Sequence, residues 1–422
     1  MVCPYVKPFL MKPSIFILCF LFVAFACQQK SETPPVPTKD FSIVKNSLTT
    51  ALQNANKEGE LVGFSVAIID QDRVLYNEGF GHADSKNKKA YQTNTIQNIG
   101  SISKTLIGVS LLKAQELGKL DIDDPINNYL PFEVTNPNHP DAPITIRQLA
   151  THTSSINDYE ENYLKGFILE KDTLDDDEVP FTHFRKSDKR IPLLGFLEAN
   201  FSTKGTWYTS DMFSENKPGS TFEYSNFGAD LCALVIQQAT GMLYKDFTQK
   251  YILDPLQMEN SGWAIKDIDD SKRSKFYLFK GQKIADYTCI TYPDGGLFTS
   301  SEDLSKFLSE LMKGYQGNGT LLSPESYKEF FKKHFDSNIN ESGRINVGIF
   351  VEYNNSFIGT TNLLIGHNGS DLGSFATMYF NPETNIGKVL LINTDIDYKD
   401  DVVVPYIKDV WNTIVSYENK LK

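Results

Sequence analysis

Residues 98–118 read NIGSISKTLIGVSLLKAQELG. Apolar residues recur in this stretch at helical spacing, at Leu106, Val109, Leu112 and Leu117. Gly118 is typical of a helix end, so the pattern predicts a helix over 102–117. Ser101 stands at the start of that helix, and Lys104, which follows one turn later, lies on the same face.

This Ser-x-x-Lys spacing suits nucleophilic chemistry, although the pattern is common. It occurs at Ser42/Lys45, Ser85/Lys88, Ser101/Lys104, Ser110/Lys113 and Ser214/Lys217. Only Ser101 begins a strongly apolar helix, whose N-terminus favours an alkoxide and disfavours an ammonium. Burial in a cleft would lower the pKa of Lys104 further, so that a neutral amine accepts the serine proton. The alternative is that Ser101 only caps the helix and Lys104 lies on the surface.

A second candidate segment is Tyr224-Ser225-Asn226, which follows Pro218-Gly219 and opens a predicted helix over 227–240. At that position Tyr224 would relay the proton together with Lys104, while Asn226 would position Lys104 or the substrate. The alternative for Tyr224 is a partly buried structural side chain with a satisfied hydroxyl group.

The third candidate segment is Gly366-His367-Asn368-Gly369-Ser370, in a predicted strand. Glycine in a strand permits the close approach of a ligand or of another backbone segment. His367 would orient a tyrosine or bind a carboxylate, and the alternative is again a structural role.

Motifs of other enzyme classes are absent from the sequence. It contains no Gly-x-Ser-x-Gly, no His-Glu-x-x-His and no Gly-x-x-x-x-Gly-Lys. These absences argue against an α/β-hydrolase, a zincin and a phosphate-loop enzyme. The acidic run 175–178 is interpreted as a solvated face rather than a metal site, so no metal is expected.

Alternating and continuous apolar runs outline the rest of the chain. Residues 62–70 and 73–80 predict a β-hairpin, and 363–366, 375–380 and 388–393 predict three successive strands. A capping box at Thr145–Gln148 predicts a helix start, and 402–417 predicts a final helix. Residues 156–218 are interpreted as an insertion with short helices. Strands at both ends of the chain suggest one α+β unit whose sheet is completed by both ends.

Composition is that of a globular protein, with 41% hydrophobic and 22% charged residues. The 422-residue chain carries 41 Lys+Arg and 53 Asp+Glu, a net charge of −12, which argues against a nucleic-acid partner. No apolar run is long enough to span a membrane. Beyond residue 27 only Cys232 and Cys289 remain, which excludes a disulfide framework and leaves one disulfide possible.

The N-terminus predicts export. Lys7 and Lys12 precede an apolar run from Ile15 to Ala26, which is typical of a signal peptide over 1–27. The segment before Cys27 resembles a bacterial lipobox, so we expect a lipid anchor there and a periplasmic or outer-membrane location. Plain cleavage nearby is the alternative, and Met11 is an alternative start. Residues 28–39 predict a disordered tether, followed by a folded domain over 40–422.

Taken in order, the three candidate segments resemble the penicillin-recognising serine hydrolases. Their signature is Ser-x-x-Lys, Tyr-x-Asn and Lys/His/Trp-x-Gly, as in the class C β-lactamase-like family with its esterases, D-aminopeptidases and D,D-peptidases. The likeness runs from about residue 45 to 415. Further segments that resemble the family are Ile144–Ser155, Asp254–Met258 and Tyr292–Asp303.

The resemblance implies an α+β fold of the β-lactamase/transpeptidase type: an antiparallel sheet flanked by helices plus an all-helical lobe, with the active site between them. Ser101 would be the acylated nucleophile, Lys104 its base and Tyr224 the proton shuttle. Asn226, His367 and Gly369 would bind or orient the substrate, and the backbone N–H groups of Ser101 and Ser370 would form the oxyanion hole. No cofactor is implied.

Two positions depart from the family pattern. His367 stands where true β-lactamases have the lysine that pairs with the penicillin carboxylate, and a neutral imidazole is a weaker anchor. Ser155 stands where glycine is common, which affects a turn. We therefore expect an esterase or a peptidase/amidase acting on D-amino-acid peptides. A non-catalytic or slowly deacylating ligand-binding protein and a true β-lactamase remain as alternatives. The sequence does not indicate an oligomeric state.

Overall fold

The computed structural model describes residues 40–339, 341, 343–396 and 400–422. The predicted signal peptide, Cys27 and the predicted tether over 28–39 lie outside the described residues. In the described part of the chain, the helices and strands have the following bounds. The helices are α1 Ser42–Ala55, α2 Ser103–Glu116, α3 Ile146–Ala150, α4 Glu160–Tyr163, α5 Leu193–Phe201, α6 Asn226–Thr240, α7 Tyr244–Thr248, α8 Tyr292–Gly295, α9 Ser301–Tyr315, α10 Pro324–Phe330 and α11 Asp400–Tyr417. The strands are β1 Gly63–Ile69, β2 Val74–Asp84, β3 Lys89–Ala90, β4 Gln97–Asn98, β5 Phe167–Leu169, β6 Glu178–Val179, β7 Tyr277–Phe279, β8 Gln282–Ile284, β9 Tyr287–Cys289, β10 Phe298–Thr299, β11 Arg344–Val347, β12 Glu352–Asn354, β13 Leu364–Asp371, β14 Ser374–Asn381 and β15 Ile386–Ile392.

An eight-stranded antiparallel sheet runs in the order β11-β12-β13-β14-β15-β1-β2-β3. It contains the predicted hairpin as β1 and β2, and the three predicted successive strands as β13, β14 and β15. The first strand pairs with the last, with Phe64 opposite Ile392. Both ends of the chain therefore complete the sheet, as the sequence predicted.

Alternation along β1 divides the core between the two faces of the sheet. Phe64, Val66 and Ile68 pack on one face, together with buried side chains of α1 and α11 such as Leu52 and Trp411. Ala67 and Ile69 point to the opposite face, which is covered by α9 and α2, and α6 packs on α2. The two terminal helices thus share one side of the sheet, and the catalytic candidates lie on the other.

The helix predictions near the site are confirmed. The predicted helix over 102–117 is a short 3₁₀ turn, Gly100–Ile102, that leads directly into α2. The helix α6 ends at Gly241, which takes the left-handed conformation with φ 70°. At α3 the side chain of Thr145 accepts the N–H of Gln148, and the Gln148 side chain accepts the N–H of Thr145, so the predicted capping box is present.

The segment 156–218 contains the expected short helices, α4 and α5, but it also forms strands β5 and β6, which the sequence did not predict. The interpretation of the acidic run as a solvated face is wrong for its last residue. The side chain of Glu178 is only 1% exposed and lies 3.3 Å from the ammonium of Lys283 and 3.4 Å from that of Lys171. These contacts fix the acidic run to β8.

Cys232 is buried and Cys289 half-buried, and both are free thiols. Among the described residues, no helix has both the length and the apolar character needed to cross a membrane.

Candidate active site

Lys104 lies at the centre of the candidate site, fully buried on the first turn of α2. Its ammonium group donates to Ser101 Oγ at 3.0 Å, to Asn226 Oδ1 at 2.7 Å and to the backbone carbonyl of Asp294 at 2.8 Å. All three donors of the ammonium are thus used. The first two predicted segments meet at this side chain, and α8 supplies the third acceptor.

The expected lowering of the Lys104 pKa is wrong. Burial does lower the pKa, but the Tyr224 phenol and the Asp294 carboxyl outweigh it, and the pKa of Lys104 is raised above its usual value. The Asp294 side chain is buried, accepts a hydrogen bond from Tyr163 at 2.7 Å and has a pKa raised by burial to about 6. Remote acids that the local sequence does not reveal therefore favour the ammonium form of Lys104.

Tyr224 lies beside Ser101 and Lys104, and Lys104 Nζ is 5.2 Å from the centroid of its ring. Burial raises its pKa, which Lys104 partly offsets, so the resting pair is a phenol and an ammonium. The ring of His152 stacks on the Tyr224 ring, with centroids 4.4 Å apart and planes inclined by 26°. His152 Nδ1 accepts the N–H of Ser225 at 3.1 Å, and burial holds the pKa of His152 well below its usual value. A neutral imidazole thus fixes the tyrosine and the residue that follows it.

Asp158 holds the N-terminus of α6 in place. Its carboxylate accepts the backbone N–H of Asn226 at 2.7 Å, the backbone N–H of Phe227 at 2.9 Å and the hydroxyl of Ser225 at 3.1 Å. A carboxylate at this end of a helix satisfies donors that have no partner within the helix. It also fixes the start of α6, from which the Asn226 side chain reaches Lys104.

The third predicted segment lies on β13, against the backbone of the nucleophile. A Cβ atom on Gly369 would lie 2.0 Å from the Ile99 carbonyl oxygen and 2.7 Å from the Ser101 nitrogen. A Cβ atom on Gly100, where φ is +52°, would lie 2.8 Å from the Ser370 nitrogen. The two glycines therefore permit a backbone contact that brings the amide groups of Ser101 and Ser370 to the same place.

His367 is buried, and its ring centroid lies 6.3 Å from that of Tyr224. Its Nε2 atom lies 3.5 Å from Glu352, a buried carboxylate that also accepts Arg344 Nε at 2.8 Å and the Tyr379 hydroxyl at 3.2 Å. Burial lowers the pKa of His367, which agrees with a neutral imidazole. Its Nδ1 atom contacts the carbonyl of Asn368, so both ring nitrogens face groups of the protein itself.

The structure thus brings Ser101, Lys104, Tyr224, Asn226, His367, Gly369 and Ser370 together at one site. Sequence reasoning missed His152, Asp158, Asp294 and Glu352. His152 belongs to the quoted segment Ile144–Ser155 and Asp294 to the quoted segment Tyr292–Asp303, which were the available signals. Ser155 takes φ 61°, a conformation that favours glycine, and its hydroxyl accepts from Asn136 at 2.9 Å.

Two curated proteins are similar to this chain in sequence over most of its length. Protein flp of Staphylococcus aureus strain MW2 is 25% identical over 380 residues, which cover 89% of this chain and 67% of that protein. The human mitochondrial serine beta-lactamase-like protein LACTB is 27% identical over 328 residues, which cover 68% of this chain and 60% of that protein. This chain therefore spans only part of each relative's length.

Solved structures agree on the fold. D-amino acid amidase from Ochrobactrum anthropi superposes with a TM-score of 0.64 at 20% identity, covering 89% of this chain and 99% of that chain. A class C beta-lactamase superposes with a TM-score of 0.62 at 18% identity, covering 88% and 98%. The predicted α+β fold of the β-lactamase/transpeptidase type is confirmed. The beta-lactamase family model matches residues 48–409. With most of its length matched, the chain belongs to the beta-lactamase family.

Proposed function

We propose that this protein is a serine hydrolase that works through an acyl-enzyme on Ser101. The observation that carries the proposal is the 3.0 Å contact between Ser101 Oγ and the buried Lys104 Nζ, with the Tyr224 ring beside both. A nucleophile within hydrogen-bond reach of its base is what acyl transfer requires.

Acylation begins when the pair of Tyr224 and Lys104 has lost one proton. The pair accepts the proton of Ser101, and the serine oxygen bonds to the acyl carbon of the substrate. The carbonyl oxygen takes up negative charge, which the N–H groups of Ser101 and Ser370 stabilise. The same pair then returns the proton to the leaving group as the bond to the acyl carbon breaks. In deacylation, water takes the place of the leaving group and the steps run in reverse.

For the substrate, we propose an ester or a D-amino-acid amide or peptide rather than a β-lactam. The buried, neutral His367 supports this choice, because it supplies no fixed positive charge for a penicillin carboxylate. A structural neighbour that is a D-amino acid amidase adds support from the fold.

The first experiment is to incubate the protein with a fluorophosphonate probe and map the adduct by intact mass and peptide mass spectrometry. We expect one adduct, on Ser101. Ser101→Ala should abolish labelling, and Lys104→Ala should cost about as much because the two residues act as one unit. An adduct elsewhere, or none on a folded protein, would favour the alternative of a ligand-binding protein without turnover. A screen of esters and D-amino-acid amides then identifies the substrate.

We further propose that the chain is exported and lipid-anchored at Cys27, on the strength of the basic, apolar and lipobox-like segments before it. In a bacterial host, the full-length protein should partition with membranes, and Cys27→Ser should release it into the soluble fraction. Membrane partitioning that is unchanged in Cys27→Ser would contradict the anchor.

A further inference from the structure

The face of β13 that meets the nucleophile continues beyond the third segment. Successive residues of a strand point to opposite faces, so His367, Gly369 and Asp371 share one face. That face meets the site, because His367 lies beside Tyr224 and Gly369 lies against the Ser101 nitrogen. Asp371 stands about 7 Å further along the strand than Gly369. It follows Ser370 directly.

Asp371 is a half-buried carboxyl group whose charged neighbours have its own sign. Its Oδ1 atom accepts the N–H of Leu372 at 2.8 Å, and the hydroxyl of the neighbouring Tyr287 on β9 donates to the Leu372 carbonyl at 2.9 Å. The charged groups that act on it are the carboxyls of Asp294 and Asp395. In the part of the chain that the structure describes, no lysine or arginine pairs with it. Shielded carboxylates normally have a cationic partner, so this site lacks a positive charge.

The pKa of Asp371 agrees with the lack of a positive charge near its carboxyl group. Burial, together with Asp294 and Asp395, raises its pKa to about 7. The groups that face it are Tyr287 and Cys289 from β9, Asp294 from α8 and Asp395 beyond β15. All of these are neutral or acidic, so a cation placed here would favour the ionised form of Asp371.

We infer that Asp371 binds an ammonium group on the acyl part of the substrate. The inference rests on the proposed function. The acyl carbon must lie between Ser101 Oγ and the N–H groups of Ser101 and Ser370, and the next residue along the strand then flanks the substituents on that carbon. An ammonium donating to a carboxylate forms a charge-assisted hydrogen bond. The substrates are therefore esters or amides of amino acids whose amino group is free.

The test measures how well small amides slow fluorophosphonate labelling of Ser101. Alaninamide, in its D and L forms, is compared with isobutyramide, in which a methyl group replaces the ammonium. We expect the better alaninamide enantiomer to protect at about tenfold lower concentration than isobutyramide. Asp371→Asn should remove this difference and Asp371→Glu should retain part of it. Asp269→Asn, an exposed aspartate outside the site, should leave the difference unchanged.

The unmodified protein gives an independent readout. Near pH 5.5 most of the Asp371 carboxyl is protonated while alaninamide is charged, so the preference should be smaller than near pH 7.5. Equal protection by the two amides, a preference that persists in Asp371→Asn, or one that does not rise with pH would overturn the inference. These outcomes all require that Ser101 is labelled. Failure of labelling itself would instead reject the proposed function, and the inference with it.

Discussion

At the residue scale, the chemistry depends on one proton shared by Tyr224 and Lys104. The pKa values of both residues are raised, so at rest Tyr224 is a phenol and Lys104 an ammonium. The pair must lose one proton before it can accept the proton of Ser101. The reactive fraction therefore grows as pH rises. We expect the rate of fluorophosphonate labelling to increase from pH 6 to pH 9, after correction for probe hydrolysis. A rate that is flat above neutrality would mean that a neutral Lys104 is already the resting form.

A second residue-scale prediction concerns His367. Replacing it by lysine puts a permanent charge beside Glu352, where the histidine is neutral. His367→Lys should speed acylation by a fluorescent penicillin, by about tenfold if charge decides recognition of the carboxylate. His82→Lys adds the same charge at an exposed position and serves as the control. No gain in His367→Lys would show that charge at this position does not decide whether a penicillin is recognised.

At the scale of elements, the N-terminus of α6 determines where the second segment lies. Asp158→Ala removes the acceptor of two backbone N–H groups and of the Ser225 hydroxyl. We expect a loss of about 2 kcal/mol in the free energy of unfolding, measured by denaturant titration. Labelling of Ser101 should fall as well, because Asn226 no longer holds Lys104. Asp158→Asn keeps an acceptor and should lose less of both. Stability equal to the unmodified protein in Asp158→Ala would rule out the capping role.

The contact between β13 and the 3₁₀ turn gives a second prediction at this scale. Gly369→Ala places a Cβ atom 2.0 Å from the Ile99 carbonyl, so the strand must move away from the nucleophile. A displacement of about 1 Å costs about 100-fold in rate, and we expect labelling of Ser101 to slow by that order. Gly195→Ala is the matched control, because a Cβ atom there meets open space within α5. Unchanged labelling in Gly369→Ala would show that the contact does not position the site.

The sequence predicted those parts of the site that depend on local spacing. Ser101 and Lys104 lie one helical turn apart, so their contact follows from the helix itself. The partners of Lys104 and of Asn226 do not follow from local pattern. The ammonium of Lys104 donates to a backbone carbonyl 190 residues away, and the backbone N–H of Asn226 donates to Asp158, 68 residues away. The pKa of Lys104 was predicted in the wrong direction for this reason, because the acids around it are near only in the folded chain.

At the scale of the whole molecule, α11 covers one face of the large sheet, and its buried side chains stabilise the fold there. Trp411 is fully buried against the sheet, and its indole N–H donates to Thr360 Oγ1 at 2.8 Å. Trp411→Ala should cost about 4 kcal/mol in the free energy of unfolding, from the lost contacts and the cavity left behind. Val404→Ser, on the exposed side of the same helix, should change it by less than about 0.5 kcal/mol. Equal midpoints of denaturation for the two variants would contradict the assignment of this layer to the core.

The pairing of the first strand with the last also governs when the chain can fold. The hairpin of β1 and β2 is synthesised early. The other edge of β1 stays unpaired until β15 has been synthesised, more than 300 residues later. Contacts so distant along the chain make folding slow, because a large loop must close before any of them forms. The sheet of the nascent protein therefore stays incomplete, with the edge of β1 unpaired, until β15 has been made.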